Sequence, residues 1–290
     1  MGEDPANSEP LAASRLRTFR ASDGYAFYVR HYMPTDTPKA RLVFVHGIRS
    51  HGGWYARSCR KLAAAGFEVY FLDRRGGGLN TAHRGDAPSF RRLLDDVAEF
   101  VQSLRAERGY LPIVLCGISW GGKLAAGLPY RRPGLVDGLV LLCPGLVPKV
   151  APPFASRMRI AIARVLRPWK FFPIPLNEPD LFTASAEWQQ YIAEEPHGLR
   201  QATARFLFSS FSLDIYLKRA AKRVNVPTLL MLGAQDRIIS NRETRKYVGR
   251  FDTTTSIFDY PGAHHTLEFE AESHPWLDDL IGWIERRILG

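Results

Sequence analysis

Short, almost continuous apolar runs recur along this chain of 290 residues, and amphipathic segments lie between them. Runs of this kind are typical of parallel strands buried on both faces, because helices cover both sides of such a sheet. A chain of this length can bury a core of that size. The pattern therefore predicts an α/β fold with a mostly parallel central sheet flanked by helices. The predicted strands span residues 41–47, 67–73, 112–116, 138–143, 227–233 and 255–260.

The segments between these runs carry helix signals. Apolar side chains recur at helical spacing over residues 93–104. A further helix is expected to follow Ser119 and to end at Pro129, because proline has no N–H to donate inside a helix. The early run 25–32 follows an Asp-Gly turn, which predicts a strand in an antiparallel hairpin.

Residues 146–218 interrupt the alternation of strands and helices. This block is richer in proline and aromatic residues, and its pattern is helical rather than strand-forming. It is interpreted as an insertion between two core strands. The chain then divides into a flexible N-terminal tail (1–17), a first part of the core (18–145), the insertion (146–218) and a second part of the core (219–290).

Composition excludes several classes of protein. The net charge is +10, but the basic residues are spread over most of the chain and no nucleic-acid-binding motif is present, so no nucleic-acid partner is expected. The three cysteines have no metal-ligand spacing, and an odd number argues against a disulfide framework. No apolar stretch approaches the roughly 18 residues of a membrane span, and the polar N-terminal segment is unlike a signal peptide. These features predict a cytoplasmic protein.

Gly117-Ile118-Ser119-Trp120-Gly121 matches the pattern G-x-S-x-G. By itself the pattern is weak, but here it lies between a predicted strand and a predicted helix, which is the context that the motif requires. Glycines on both sides let the strand and the helix approach closely around a sharp turn. The turn would hold Ser119 in a strained backbone conformation with its oxygen exposed, as a nucleophile needs.

A serine hydroxyl is a poor nucleophile at neutral pH, so it needs a base, and the base needs an acid to orient it. Asp236 follows the predicted strand 227–233, and His264 and His265 follow the strand 255–260. The order Ser, Asp, His, each after its own strand, is typical of serine hydrolases on a parallel sheet. From chemistry alone, either histidine could serve as the base.

Acyl transfer through a tetrahedral intermediate also needs backbone donors for the oxyanion. Trp120 follows the nucleophile at the start of a helix, and its N–H is one candidate. The turn after the strand 41–47 supplies the other, for which the N–H of Ile48 is the best candidate. His46 in the same turn is interpreted as a structural hydrogen-bonding residue.

The chain resembles the α/β-hydrolase superfamily, and within it the monoacylglycerol lipase and lysophospholipase group of the serine aminopeptidase S33 type. The motifs "HGIRSHGGWY" (46–55), "DRRGGGLN" (73–80), "GISWGG" (117–122), "LMLGAQDRI" (230–238) and "PGAHHTLEFE" (261–270) carry this resemblance in order. Asn80 replaces the serine usual in the second motif. The resemblance selects His265 over His264. It also implies that residues 146–218 form a helical cap between core strands 6 and 7.

Two interpretations of the cap segment 156–172 remain open. Its apolar side chains Met158, Ile162, Val165 and Trp169 recur at spacings of three or four, and arginines lie elsewhere around the helix. Either this apolar side roofs the pocket, or the segment docks on an anionic membrane surface, since residues 149–177 hold six Lys or Arg and no Asp or Glu.

The predicted function is hydrolysis of carboxylic esters with an apolar acyl chain, of the monoacylglycerol or lysophospholipid type, through an acyl-enzyme and without metal or cofactor. Ser119, His265 and Asp236 would form the triad. His51 and Trp54 are candidates for contacts with the polar end of the substrate, and stabilisation of their own loop is the alternative. A thioesterase or acyltransferase on the same scaffold and a catalytically silent ligand-binding relative are the competing hypotheses.

Overall fold

The computed structural model describes residues 14–107 and 109–290. Its strands are β1 Ser14–Arg20, β2 Ala26–Tyr32, β3 Ala40–Val45, β4 Phe67–Leu72, β5 Ile113–Ile118, β6 Gly138–Leu142, β7 Phe171–Pro173, β8 Gln201–Thr203, β9 Thr228–Gly233 and β10 Thr255–Tyr260. Its helices are α1 Ala56–Ala64, α2 Phe90–Arg105, α3 Gly121–Arg131, α4 Phe154–Leu166, α5 Ala186–Glu194, α6 Ala204–Ala220, α7 Asn241–Val248 and α8 Trp276–Ile284.

Eight strands form the central sheet in the order β1-β2-β4-β3-β5-β6-β9-β10. Only the pairings of β1 with β2 and of β2 with β4 are antiparallel, and helices flank the sheet. Every residue of β3, β4, β5, β6 and β9 is buried, as the continuous apolar runs predicted. The edge strands β1 and β10 are partly exposed. The predicted fold class is confirmed.

The predicted tail differs from the structure at its end. Residues 1–13 lie outside the described residues, whereas residues 14–17 belong to β1 and pair with β2. Leu16 and the surrounding arginines are exposed on this edge strand, so the segment has no buried apolar face from which the sequence could reveal it.

Pro129 does not end its helix, as the sequence predicted it would. It lies inside α3, which continues to Arg131. A proline so close to the C-terminus of a helix removes only one hydrogen bond, and the buried packing of α3 against β5 and β6 outweighs that loss.

The insertion lies between β6 and β9, the sixth and seventh strands of the central sheet in chain order. It contains α4 and α5, most of α6, and a small antiparallel pair, β7 and β8, that the sequence pattern did not predict. The helix predicted over residues 156–172 is shorter, because α4 ends at Leu166. Helix α6 packs against α3 and joins the insertion to the core.

None of the helices in the described part of the chain combines the length and the apolar character needed to cross a membrane.

Candidate active site

Ser119 occupies a strained turn between β5 and α3. Its φ of +50° lies in the left-handed region, which residues with a Cβ rarely adopt. The close approach of strand and helix explains the flanking glycines: a Cβ on Gly117 would lie 2.6 Å from the Cβ of Ala125, and one on Gly121 would lie 2.2 Å from the Val45 carbonyl oxygen. The strand therefore presents the Ser119 hydroxyl at the carboxyl edge of the sheet.

His265 lies between Ser119 and Asp236. Its Nε2 is 2.8 Å from Ser119 Oγ, and its Nδ1 is 2.6 Å from Asp236 Oδ2. The other carboxylate oxygen of Asp236 accepts the N–H groups of Ile238 and Ile239 at 2.7 and 3.0 Å. Three loops that follow β5, β9 and β10 thus bring together the three residues that the sequence singled out.

The protonation states follow from these contacts. Burial by itself would raise the pKa of Asp236, but the charge and hydrogen bond of His265 and the two backbone N–H groups outweigh burial and lower this pKa below its ordinary value. An ionised Asp236 accepts from Nδ1–H of His265. Nε2 is then free to take the proton of Ser119.

His264 points away from the serine. Its backbone N–H donates to Glu270 Oε1 at 2.7 Å, and its Nδ1 lies 3.3 Å from the same oxygen. Of the two histidines that chemistry alone left open, His265 is the one whose ring lies within hydrogen-bonding distance of Ser119.

The loop after β3 lies against the nucleophile, since a Cβ on Gly47 would be 3.1 Å from the Cβ of Ser119. His46 Nδ1 donates to the Gly47 carbonyl at 2.8 Å, which orients the peptide whose N–H belongs to Ile48. Burial, followed by the charge of Arg74, holds the pKa of His46 well below its usual value, so the ring is neutral. Within the described residues no hydrogen bond is found from the N–H of Ile48 or of Trp120, and both are free to bind an oxyanion.

The indole of Trp120 ties the turn to the insertion. Its Nε1 donates to Ser210 Oγ of α6 at 2.8 Å, and its ring packs on Phe206 with 5.3 Å between centroids. No local pattern in the sequence indicated these partners, because they lie about 90 residues away along the chain.

His51 and Trp54 fit the loop-stabilising alternative rather than substrate contact. His51 Nδ1 accepts the N–H of Gly53, and Nε2 lies 3.0 Å from Glu195 Oε2 of the insertion, so both ring nitrogens are occupied. The ring of Trp54 is buried between aromatic side chains of the insertion and of the histidine loop, Phe182 and Phe269.

Asn80 replaces a serine in the motif 73–80, and its larger side chain holds that loop closed. Its Nδ2 lies 2.7–3.0 Å from the carbonyl oxygens of Asp73, Arg74 and Gly77, and its Oδ1 accepts the N–H of Tyr28. The substitution therefore preserves the loop.

Only one group of side chains in the described part of the chain has donor atoms close enough to hold a metal ion, namely Cys143, Asp236 and His265. Asp236 and His265 are already bonded to each other, and burial raises the pKa of the Cys143 thiol well above its usual value, which keeps it protonated. This chemistry favours proton transfer at the site over metal binding.

The comparisons with known proteins agree with this geometry. A family model described as serine aminopeptidase, S33, matches residues 36–272. The human monoglyceride lipase is 27% identical over 278 residues, which are 92% of this chain and 89% of the relative. A monoacylglycerol lipase of Mycolicibacterium smegmatis is 28% identical over 261 residues, 87% of this chain and 90% of the relative.

Solved structures show the same fold. The crystal structure of a monoacylglycerol lipase from Paleococcus ferrophilus has a TM-score of 0.81 at 22% identity and covers 90% of this chain and 99% of its own. A soluble variant of the monoglyceride lipase from Saccharomyces cerevisiae, in complex with a substrate analogue, has a TM-score of 0.82 at 16% identity and covers 97% of each chain. The chain is an α/β-hydrolase that belongs to the serine aminopeptidase S33 family and is similar to monoacylglycerol lipases.

Proposed function

We propose that this protein hydrolyses carboxylic esters of apolar acyl chains, of the monoacylglycerol or lysophospholipid type. The observation that carries the proposal is the hydrogen-bonded chain from Ser119 through His265 to Asp236 beside two unoccupied backbone N–H groups. The lipid nature of the substrate is supported by the monoglyceride lipases among the relatives.

The proposed reaction has two steps. Ser119 Oγ attacks the ester carbonyl while His265 Nε2 takes the hydroxyl proton, and the N–H groups of Ile48 and Trp120 bind the oxyanion. As the intermediate collapses, the C–O bond to the alcohol breaks and His265 protonates the leaving alcohol. His265 then takes a proton from water, whose oxygen attacks the acyl-enzyme. As the second intermediate collapses, the C–O bond to Ser119 breaks, His265 returns the proton to Ser119 Oγ, and the acid is released.

In this proposal the insertion acts as a cap over the serine. The Phe182 ring lies 6.0 Å from the ring of His265, and the Phe182 carbonyl accepts the N–H of Thr266 at 3.0 Å. With Phe206 packed on Trp120, the insertion supplies apolar side chains beside the triad. An apolar surrounding of this kind suits an acyl chain.

The outer face of α4 supports a peripheral contact with anionic membrane. Met158, Ile162 and Val165 are exposed rather than turned inward, and the buried side chains of α4 are Ile160 and Ala163. This exposure supports the docking alternative over the one in which the apolar side roofs the pocket. Exposed apolar and basic side chains on one helix fit a surface that inserts between lipid headgroups.

The cytoplasm is the compartment we propose. Cys59, Cys116 and Cys143 are all unpaired and buried, which suits a reducing environment.

The experiment that tests the activity compares the wild type with Ser119→Ala. The wild type is expected to hydrolyse p-nitrophenyl esters and monoacylglycerols and to react with a fluorophosphonate, and Ser119→Ala should lose both activities by at least about 10⁴-fold, since the nucleophile is gone. Parallel assays with acyl-CoAs and acceptor alcohols separate ester hydrolysis from thioesterase and acyltransferase activity.

Ser273→Ala is the matched control, because Ser273 is exposed and far along the chain from the motif. Ser273→Ala should hydrolyse the esters and react with the fluorophosphonate as fast as the wild type does. Equal turnover by Ser119→Ala and wild type would overturn the assignment of the nucleophile, and a wild type that never reacts with a fluorophosphonate would point to a silent binding protein.

A further inference from the structure

Arg74 carries a buried positive charge without a carboxylate partner. Arg74 is 4% exposed, and no ion pair among the described residues includes it, whereas its neighbour Arg75 pairs with Asp23 and Asp96. Its Nη2 donates to the carbonyl oxygen of Ile48 at 2.6 Å, Nη1 makes only a long contact of 3.4 Å with the Arg75 carbonyl, and Nε has no partner. The guanidinium thus has unused donor capacity.

Both predicted oxyanion donors belong to residues that Arg74 contacts. One is Ile48, whose carbonyl accepts the guanidinium, and the other is Trp120, whose ring centroid lies 5.1 Å from Arg74 Cζ. The backbone N–H of Arg74 also donates to His46 Nε2 at 3.0 Å, which fixes the ring that orients the Gly47–Ile48 peptide. Arg74 therefore contacts the loop after β3 (residues 46–51, the oxyanion loop) at two points and the turn after β5 at a third.

The charge of Arg74 persists at neutral pH. Burial lowers its pKa to about 10, and nearby Asp73 opposes that change. The Asp73 carboxylate itself is occupied by the N–H groups of Gly52 and Leu79, at 2.7 and 2.9 Å. A buried charge without a bonded counterion costs stability, and the rings of Trp120 and Phe206, whose centroids lie 5.1 and 5.2 Å from Arg74 Cζ, offset part of that cost.

A negative charge does form beside Arg74 in the proposed reaction. When Ser119 attacks, the carbonyl oxygen of the substrate becomes an oxyanion held by the N–H groups of Ile48 and Trp120, and the charge disappears when the intermediate collapses. A fixed cation in a water-poor site stabilises such a transient charge over several ångströms.

We propose that Arg74 is a positioning residue that stabilises the oxyanion, by holding the Ile48 loop in place and by its positive charge. The inference rests on the proposed ester hydrolysis. Arg74 transfers no proton and forms no bond to the substrate. Its effect appears only where the carbonyl oxygen carries charge, namely in both tetrahedral intermediates.

Steady-state kinetics of Arg74→Met and Arg74→Lys on a p-nitrophenyl ester test this inference. Arg74→Met is expected to lower kcat about 10- to 100-fold with KM unchanged, less than the loss of a direct oxyanion donor. Arg74→Lys should recover part of that loss, because it restores the charge without the planar set of donors. Arg84→Met is the matched control, since Arg84 also donates to backbone carbonyls, that of Gly78 in its own loop and that of His197 in the insertion, but contacts neither Ile48 nor Trp120.

An inhibitor series separates this role from general support of the fold. A trifluoromethyl ketone bearing the same acyl chain forms an anionic adduct with the serine, so its Ki should rise by the same factor by which kcat/KM falls across the Arg74 variants. The Ki of the matching alcohol, which carries no charge, should not change. Should Arg74→Met fail to fold, the same two Ki values are measured for Arg74→Lys. A higher Ki for the trifluoromethyl ketone with an unchanged Ki for the alcohol then supports the inference.

Wild-type kcat in a folded Arg74→Met, or a Ki for the trifluoromethyl ketone that stays constant while kcat falls, would overturn the inference. These results would leave the proposed function standing, provided that the wild type hydrolyses esters. A wild type without ester hydrolysis and without fluorophosphonate labelling would instead reject the proposed function itself.

Discussion

The reactivity of Ser119 depends on residues that are distant along the chain. The strained turn around Ser119 can be recognised in the local sequence, because glycines are required where β5 and α3 approach closely. His265 is 146 positions away, and only the sheet brings its Nε2 to the hydroxyl. A single motif therefore indicates a nucleophile without its base, whereas the order of three motifs indicates the complete site.

Glu268, three residues after His265, is a buried acid that sequence reasoning missed. Its side chain is almost fully buried, Oε1 accepts the N–H of Ser58 at 3.2 Å, and Oε2 has no partner. Burial raises its pKa to about 7, and the charge of Arg57 offsets only part of this rise.

The contribution of Glu268 to the stability of the protein should therefore fall as the pH rises from about 4.5 to about 7. Between its ordinary pKa of 4.5 and about 7, Glu268 keeps its proton in the folded protein and releases it in the unfolded chain, so the folded state binds more protons. Glu268→Gln removes this titration. Its stability should match that of the wild type at about pH 4 and exceed it by about 3 kcal/mol above pH 8, measured by urea unfolding at several pH values. Glu272→Gln, an exposed control, should show no such trend; parallel pH curves for wild type and Glu268→Gln would contradict the prediction.

At the scale of elements, α4 illustrates a limit of periodicity. Apolar residues at spacings of three or four left open whether this side faces the pocket or a membrane. In the structure Val165 is 78% exposed, and Ile160, outside that stripe, is buried. Helical spacing identifies an apolar stripe but does not say whether protein or lipid covers it.

The exposed face of α4 is expected to bind vesicles that contain anionic lipid. Ile162→Glu and Val165→Glu should each weaken binding about tenfold, because each removes apolar area and adds a repelled charge. Sedimentation with vesicles measures this binding, and hydrolysis of a short soluble ester should not change. Ile257→Glu places the same substitution on the edge strand β10, where Ile257 is also exposed, and should leave vesicle binding intact. Equal losses of vesicle binding in Ile162→Glu and Ile257→Glu would argue against a binding surface specific to α4.

At the scale of the whole molecule, buried polar contacts join the insertion to the core. Asp86 of the core accepts Thr203 Oγ1 at 2.6 Å and pairs with Arg205, both at the base of α6. Arg49 of the oxyanion loop donates to the carbonyl oxygens of Leu176 and Ile192 in the insertion. The insertion is thus part of the cooperative structure rather than a loose appendage.

Asp86→Ala should lower the free energy of unfolding by about 2 kcal/mol, because it leaves the partly buried Arg205 without its partner. In limited proteolysis, the insertion of Asp86→Ala should also be cleaved faster than that of the wild type. Asp180→Ala is the matched control: Asp180 pairs with Arg237 and joins the same two parts, but this pair is exposed and worth at most about 1 kcal/mol. Similar effects of the two substitutions would show that burial of the Asp86 contact does not matter.

The sequence by itself determined the fold class, the family resemblance and most of the core strands, because buried parallel strands and tight glycine turns leave local patterns in the chain. It also singled out Ser119, Asp236 and His265, which the structure brings within hydrogen-bonding distance. Only the tertiary structure decided which way the α4 stripe faces, that His51 bonds to Glu195, and that Arg74 is buried beside the oxyanion loop. Those features depend on contacts between segments far apart in the chain, which local spacing does not encode.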